Sequence, residues 1–442
     1  MYKPIIAVVG RPNVGKSSFF NRVVGKRISI VEDTPGVTRD RIYCDTEWAG
    51  NALTFIDTGG IEPKQDGEWQ KYILMQAQLA IDVADVVVFI VDGKDGVTKD
   101  DDHVAMLLRK SQKPIILAVN KLDTLKSENI FPFYELGLGD PIGMSCSHGL
   151  GVGDVLDAVV AKLNKKVIPI DEEKRLKIAI VGRPNAGKSS ITNKLLGEER
   201  VVVSPVAGTT RDSIDVPFKF NGKEYIIIDT AGIRRKNKID YTSIEGFSVM
   251  RSLAAIRRAD VVVYVLDASD EITEQDVRVL GYIHEQGKPS VIVYNKWDLV
   301  AKDSYTVNLY RQKLQTDLKF MDYFVAIYIS TKDGTRFGKI METVEYVYNN
   351  ANTRITTGLL NEVLQDAMFS AEPPSKAGHR LKINYATQVA VCPPTFALFV
   401  NNPDLMHFSY LRYLENSLRK AKNFEGTPIR ILLRKKSKEN RV

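Results

Sequence analysis

Cysteine is scarce: 442 residues hold three, Cys44, Cys146 and Cys392, far apart and with no CxxC pair. That pattern argues against a disulfide framework and against a thiolate zinc site, and it fits a reducing, cytoplasmic setting. Histidine is nearly as sparse, with five residues and no metal-ligand spacing. No apolar run reaches the roughly 20 residues needed to cross a bilayer, so stable membrane insertion is not expected. The opening Met1-Tyr2-Lys3-Pro4 leads straight into an apolar run that ends at Gly10. It has no small-residue cleavage site and reads as a first strand rather than a signal peptide.

What remains is ordinary globular composition, 44% hydrophobic and 26% charged. The length suggests two or three domains. The net charge of +7 is unevenly placed: residues 351–442 hold 14 Lys/Arg against 7 Asp/Glu, leaving the first 350 residues neutral. Two readings of that basic segment are open, a solvated face or a polyanion-binding module.

The chain repeats itself. Gly10-Arg11-Pro12-Asn13-Val14-Gly15-Lys16-Ser17 returns as Gly182-Arg183-Pro184-Asn185-Ala186-Gly187-Lys188-Ser189. Thr38-Arg39-Asp40 returns as Thr210-Arg211-Asp212, and Asp57-Thr58-Gly59-Gly60 as Asp229-Thr230-Ala231-Gly232, all at an offset of 172. Asn120-Lys121-Leu122-Asp123 returns as Asn295-Lys296-Trp297-Asp298 at an offset of 175. Four ordered motifs do not recur twice by chance, so the domain is duplicated.

Each copy alternates short Val/Ile runs with helical patterns. The runs are Ile5–Val9, Leu53–Ile56, Val86–Val91 and Ile115–Val119, then Ile178–Val181, Tyr225–Ile228, Val261–Leu266 and Ser290–Tyr294. Nearly continuous apolar runs are strands buried on both faces. Their alternation with helices predicts two α/β domains, each a mostly parallel sheet with flanking helices and motifs at the C-terminal strand ends. The expected boundaries are 1–164 and 175–350, joined by a polar linker at 165–174. Residues 351–442 then read as a small α+β unit. Its expected elements are a helix at Leu359–Phe369, strands at Leu381–Val391 and Thr395–Val400, a helix at Ser409–Lys422 and a strand at Pro428–Leu433. The tail Arg434-Lys435-Lys436-Ser437-Lys438 is expected to be disordered.

Each Gly-x-x-x-x-Gly-Lys-Ser lies between an expected strand and an expected helix, the setting that a phosphate-binding loop requires. The glycines (Gly10, Gly15, Gly182, Gly187) let backbone N–H groups, those of Asn13, Val14, Asn185 and Ala186 among them, curl around phosphates at a helix N-terminus. Lys16 and Lys188 are expected to reach the β- and γ-phosphates. Ser17 and Ser189 are expected to ligate Mg²⁺, with Ser18 and Ser190 beside them in the first helical turn. Asp57 and Asp229 can hold the same ion through water, and the N–H of Gly60 or Gly232 can approach the γ-phosphate. Thr38 and Thr210 are either further Mg²⁺ ligands or plain loop hydroxyls.

The base reader is Asn-Lys-x-Asp. The carboxylates of Asp123 and Asp298 only accept hydrogen bonds, and guanine presents two adjacent donors, N1–H and the N2 amine. Adenine presents an acceptor at N1, a mismatch that is costly in a desolvated pocket. Lys121 and Lys296 can lay their stems over the base. Ser145 and Ser330, with Cys146 and Thr331 after them, fit the loop whose backbone meets the base oxygen. GTP and GDP are therefore the expected ligands, twice per chain.

The order of these motifs resembles the translation-factor-related GTPases. Two such domains followed by a basic α+β domain resemble the EngA/Der family of bacterial ribosome-assembly GTPases over essentially the whole chain. The third domain shares that resemblance through Pro393-Pro394-Thr395-Phe396 and Phe424-Glu425-Gly426-Thr427-Pro428. The resemblance implies a K-homology-like RNA-binding fold there, although the segment has no Gly-x-x-Gly clamp. Scattered basic residues, including Arg412, Arg419, Lys420, Lys422 and the tail, are the expected substitute. The implied partners are the assembling large ribosomal subunit and its rRNA, bound by a monomer. Ile61 and Ile233 stand where Ras-like proteins carry a water-orienting glutamine, so that route is closed and intrinsic hydrolysis is expected to be slow. Relatives of this kind pair such a residue with an asparagine in the phosphate loop and recruit K⁺. Asn13 and Asn185 either do this or only shape the loop. The second copy continues with Arg234-Arg235-Lys236-Asn237-Lys238, which is either an anion contact or a solvated loop.

Overall fold

Unbroken Val/Ile runs cannot present a polar face, so they must be covered on both sides. The computed structural model covers them in two parallel-rich sheets. It describes residues 4–24, 43–57, 74, 77–78, 80–81, 83–111, 113–122, 130–164, 175–198, 215–228, 245–376 and 378–435. Two compact units divide at Glu173/Lys174.

In the first unit the strands are β1 (Ile5–Val9), β2 (Tyr43–Trp48), β3 (Asn51–Asp57), β4 (Val86–Asp92), β5 (Ile115–Asn120) and β6 (Ile142–Gly143), in spatial order β2-β3-β1-β4-β5-β6. All neighbours are parallel except the β2–β3 hairpin. Every residue of β1 and β4 is buried. Helices α1 (Lys16–Val24), α2 (Lys99–Lys110) and α3 (Val152–Asn164) accompany the sheet. Helix α2 starts on a capping box: Thr98 accepts from the Asp101 N–H at 3.3 Å, and the Asp101 carboxylate accepts from the Thr98 N–H at 3.1 Å.

The second unit repeats the plan. Strands β7 (Leu176–Gly182), β8 (Val216–Phe220), β9 (Lys223–Ile228), β10 (Val261–Asp267), β11 (Ser290–Asn295) and β12 (Val325–Tyr328) take the order β12-β11-β10-β7-β9-β8. Helices α4 (Lys188–Glu198), α5 (Glu245–Arg258), α6 (Glu274–Glu285), α7 (Thr306–Asp317) and α8 (Lys339–Ala351) follow in sequence. A second capping box, Thr273 with Asp276, opens α6.

The rest of this unit is α9 (Thr357–Ser370), a short hairpin β13 (Ser375–Lys376) and β14 (His379–Arg380), then β15 (Ile383–Ala390), β16 (Thr395–Val400), α10 (Phe408–Ala421) and β17 (Arg430–Lys435). Strand β16 lies between β15 and β17, antiparallel to the first and parallel to the second. Phe396, Leu398 and Val400 pack with Leu360, Leu364, Leu414 and Leu418 in its core. The expected fold class is thus what the chain forms. One expectation is corrected: Arg434 and Lys435 are not disordered but pair with Phe399 and Val400, because the ladder of β17 continues through them. Residues 436–442 lie outside the described residues.

Of the two segments that carried the family resemblance of the third domain, the one from Phe424 to Pro428 joins it to the preceding sheet. The Ser290 N–H donates to the Gly426 carbonyl at 2.8 Å, and the Gly426 N–H donates to the Tyr323 carbonyl at 2.7 Å. Gly426 has φ +74°, and a Cβ there would sit 2.2 Å from Val347 Cγ1, so only glycine fits. The Arg419 guanidinium lies 4.5 Å over the Tyr323 ring and donates to Glu415 and to the carbonyls of Phe424 and Thr427. This corrects the expectation that Arg419 serves as an RNA contact, because its charge is spent inside the protein. Lys420 and Lys422 remain exposed. Arg412 donates to the Lys319 carbonyl at 2.8 Å. Burial, with Arg419 and Arg430 nearby, pushes His284 down to about 4, so it stays neutral against the Tyr323 hydroxyl at 2.8 Å.

Candidate nucleotide sites

Each phosphate loop runs from the end of a central strand, β1 or β7, into a helix. Helix α1 begins at Lys16 and α4 at Lys188, so their first N–H groups face the loop. Ser17, Ser18 and Ser190 are exposed in those first turns, and Ser189 is half-buried. Asn13 (φ 64°) and Asn185 (φ 63°) turn the backbone left-handed, a conformation asparagine tolerates. Their side chains are exposed.

The lysine ammonium groups have polar company even without phosphate. Lys16 Nζ donates to the carbonyls of Gly10 and Arg11, both at 2.8 Å. Lys188 Nζ donates to those of Gly182 (2.7 Å) and Arg183 (2.6 Å). Burial pushes the Lys188 ammonium down to about 8.

One asparagine amide in each half ties the phosphate loop to the base-reading motif. Asn120 Nδ2 donates to the Val14 carbonyl at 2.7 Å, and its Oδ1 accepts from the Cys146 N–H at 3.0 Å. Asn295 Nδ2 donates to the Ala186 carbonyl at 3.0 Å, and its Oδ1 accepts from the Thr331 N–H (3.1 Å) and hydroxyl (2.8 Å). The loop passes so close that a Cβ on Gly15 would lie 2.2 Å from Asn120 Nδ2, and one on Gly187 2.0 Å from Asn295 Nδ2.

After the asparagines the chain turns left-handed at Lys121 (φ 67°) and Lys296 (φ 61°). Lys121 Nζ pairs with Asp92 at 2.6 Å and Lys296 Nζ with Asp267 at 2.5 Å. Burial alone would raise the two aspartates. The lysines and nearby N–H groups outweigh it and hold both carboxyls below their usual range. In the second half Ser330 Oγ donates to Asp298 Oδ1 at 2.7 Å, which aims that carboxylate. Ser145 Oγ lies 2.9 Å from His148 Nδ1. The Cys146 thiol is pushed up to about 12 by burial, partly offset by Arg22, so it is a packing group rather than a nucleophile.

Both halves therefore bring Gly10, Asn13, Val14, Gly15, Lys16, Ser17, Asn120, Lys121, Ser145 and Cys146, or their counterparts, to one end of a sheet. A model described as "50S ribosome-binding GTPase" matches residues 5–121 and 177–296. A second, "KH-domain-like of EngA bacterial GTPase enzymes, C-terminal", matches residues 354–434. GTPase Der of Clostridium perfringens strain SM101 is 54% identical over 98% of this chain and 98% of its own.

The chain belongs to the Der (EngA) GTPase family. Like the Clostridium protein, GTPase Der of Alkaliphilus oremlandii strain OhILAs is similar along its length, 52% identical over 99% of each chain. GTPase Der of Pelotomaculum thermopropionicum is 53% identical over 99% of this chain and 100% of its own. As a Der-family member the protein is a GTPase, an enzyme that hydrolyses GTP.

Asp57 ends β3, and Thr38, Gly60, Ile61, Asp123, Thr210, Asp229, Gly232 and Ile233 lie outside the described residues, as does the basic run Arg234–Lys238. Asp92 and Asp267 were missed by sequence reasoning. A signal existed, because they recur at the same offset of 175 as the Asn-Lys-x-Asp motif, each closing an apolar strand.

A lysine held down near 8 by burial should be raised again once a polyphosphate lies against it. GTP binding at the second site is therefore expected to take up a proton at pH 8.5 and almost none at pH 6.5. Titration calorimetry in two buffers of different ionisation enthalpy reads this directly. Equal proton uptake at both pH values would contradict it.

Proposed function

We propose that this GTPase is a molecular switch that docks on the assembling large ribosomal subunit through rRNA and promotes its maturation. In this reading GTP at the two sites sets the docking-competent state, and hydrolysis releases the protein. The observation that carries the reading is the joining of a basic K-homology-like domain to the second nucleotide-binding sheet through Ser290, Tyr323 and Gly426. A change at the nucleotide site has a packed route to a cationic surface. The family model that describes ribosome-binding GTPases supports the choice of target.

The site residues take their roles residue by residue. Curled N–H groups from Asn13 to Lys16 and from Asn185 to Lys188 receive the phosphates, and Lys16 and Lys188 neutralise them. Asp123 and Asp298 read guanine. Ser17 and Ser189 offer hard hydroxyl oxygens at a helix start, a donor set that suits Mg²⁺ with most of its waters retained. Thr38 and Thr210 would complete it. Held by Ser17 with Thr38, or by Ser189 with Thr210, Mg²⁺ would supply positive charge against the phosphates.

With Ile61 and Ile233 unable to orient water, a K⁺ held by Asn13 or Asn185 would supply further positive charge. Both asparagines are exposed, so a cation from solvent can reach their amides. The protein works as a cytoplasmic monomer; no helix among the described residues is long and apolar enough to cross a membrane.

Sedimentation with purified ribosomal subunits tests the main claim. Co-migration with the large subunit is expected under a non-hydrolysable GTP analogue and is expected to fall at least severalfold under GDP. Equal co-migration in both states, or none, would refute it. For the cation, GTP hydrolysis is expected to run several times faster in K⁺ than in Na⁺ at equal ionic strength, and equal rates would remove it.

A further inference from the structure

The second residue of each phosphate loop is an arginine that no step above uses. Its carbonyl accepts the loop lysine, and its side chain turns away from the phosphate side. Arg183 Nε lies 3.0 Å from Asp276 Oδ2. Arg11 Nε lies 3.6 Å from Asp101 Oδ2, and Arg11 Nη2 donates to the more exposed Asp95 at 2.7 Å. Asp101 and Asp276 are the capping-box carboxylates that start α2 and α6, and their side chains are 0% and 1% exposed. A buried charged group of this kind must be paired to persist.

The halves also differ at the second carboxylate oxygen. In the second, the Tyr264 hydroxyl donates to Asp276 Oδ1 at 2.9 Å, so both carboxylate oxygens are satisfied. Tyr264 stands on β10 beside Val181, the residue before Gly182. The register-equivalent residue of the first half is Phe89, beside Val9, the residue before Gly10. Phenylalanine has no hydroxyl. Asp101 Oδ1 is accordingly buried without a hydrogen-bond partner among the described residues, and Arg11 Nε, 3.6 Å from Asp101 Oδ2, is likewise without one.

We propose that Asp101 and Asp276 are positioning residues that brace the phosphate loops through Arg11 and Arg183, and that Tyr264 makes the second brace the firmer one. The second site therefore retains guanine nucleotide longer than the first. The brace acts on the carbonyls of Arg11 and Arg183, which hold the lysines, so it sets where the ammonium waits for phosphate. This inference rests on the reading of Lys16 and Lys188 as phosphate-binding residues.

The test uses the full chain with one site silenced by Lys16→Ala or Lys188→Ala, and follows release of a fluorescent GDP analogue. Tyr264→Phe, which removes one oxygen and keeps the ring, is expected to speed release from the second site roughly three- to tenfold, the net worth of one hydrogen bond. KM for GTP should rise by a similar factor with kcat within about twofold. Phe89→Tyr is expected to slow release from the first site, a gain that damage to folding cannot imitate. Unchanged release in both variants, or a fall in kcat with KM unchanged, would overturn the brace. If Phe89→Tyr does not fold, Tyr264→Phe alone decides. Failure of the underlying reading looks different: the Lys16→Ala, Lys188→Ala double variant would still bind two nucleotides.

Discussion

The buried asparagine amide at the end of the fifth strand of each sheet is the constraint on which each site depends. Asn120 and Asn295 are each 2% exposed, so every polar atom they carry must find a partner. Each gives a hydrogen to the phosphate loop and takes one from the loop after the sixth strand. Aspartate could not donate and leucine could do neither. The glycines before Lys16 and Lys188 follow from the same contact, since any side chain there would collide with the amide. A phosphate cradle and a base reader that lie far apart in sequence thus become one rigid object, prepared before ligand arrives.

Duplication has left this object intact and allowed its surroundings to drift. Thr331 gives the second asparagine an additional hydroxyl where Cys146 gives the first only an N–H. Trp297, packed on Tyr328 and Tyr310, replaces Leu122 behind the second base reader. The second copy also carries the K-homology-like domain within its own compact unit, and several cations of that domain are spent on the junction. Its basic excess is therefore smaller on the outside than the charge count implies.

Much of this was legible in the sequence. Val86–Asp92 and Val261–Asp267 are strands because an unbroken apolar run of that length has no other way to be covered, and their ends were read to within a residue. The edge strands β2 and β8 were not read, because YCDTEW and VPFKF mix polar and apolar residues as a one-sided strand does. The turn Asn221-Gly222, with φ of 47° and 77°, is a hairpin signal that went unused. Motif spacing was enough to place the phosphate loops and the Asn-Lys-x-Asp segments at the ends of strands. Asp92 and Asp267 were missed, because their pairings with Lys121 and Lys296 exist only once β4 and β10 lie beside β5 and β11, and the Arg11 and Arg183 ion pairs exist only once the starts of α2 and α6 reach the phosphate loops. Arg419 was misassigned for a related reason: a sequence gives a charge but not the direction in which it points.

If each asparagine holds its own site together, one chain binds guanine nucleotide twice. Equilibrium dialysis against labelled GDP, with Mg²⁺ and with ADP as competitor, tests it most directly. Two GDP per chain are expected, with no displacement by ADP, and one GDP per chain for either Asn120→Ala or Asn295→Ala. One GDP per unmodified chain, or displacement by ADP at equal concentration, would contradict it.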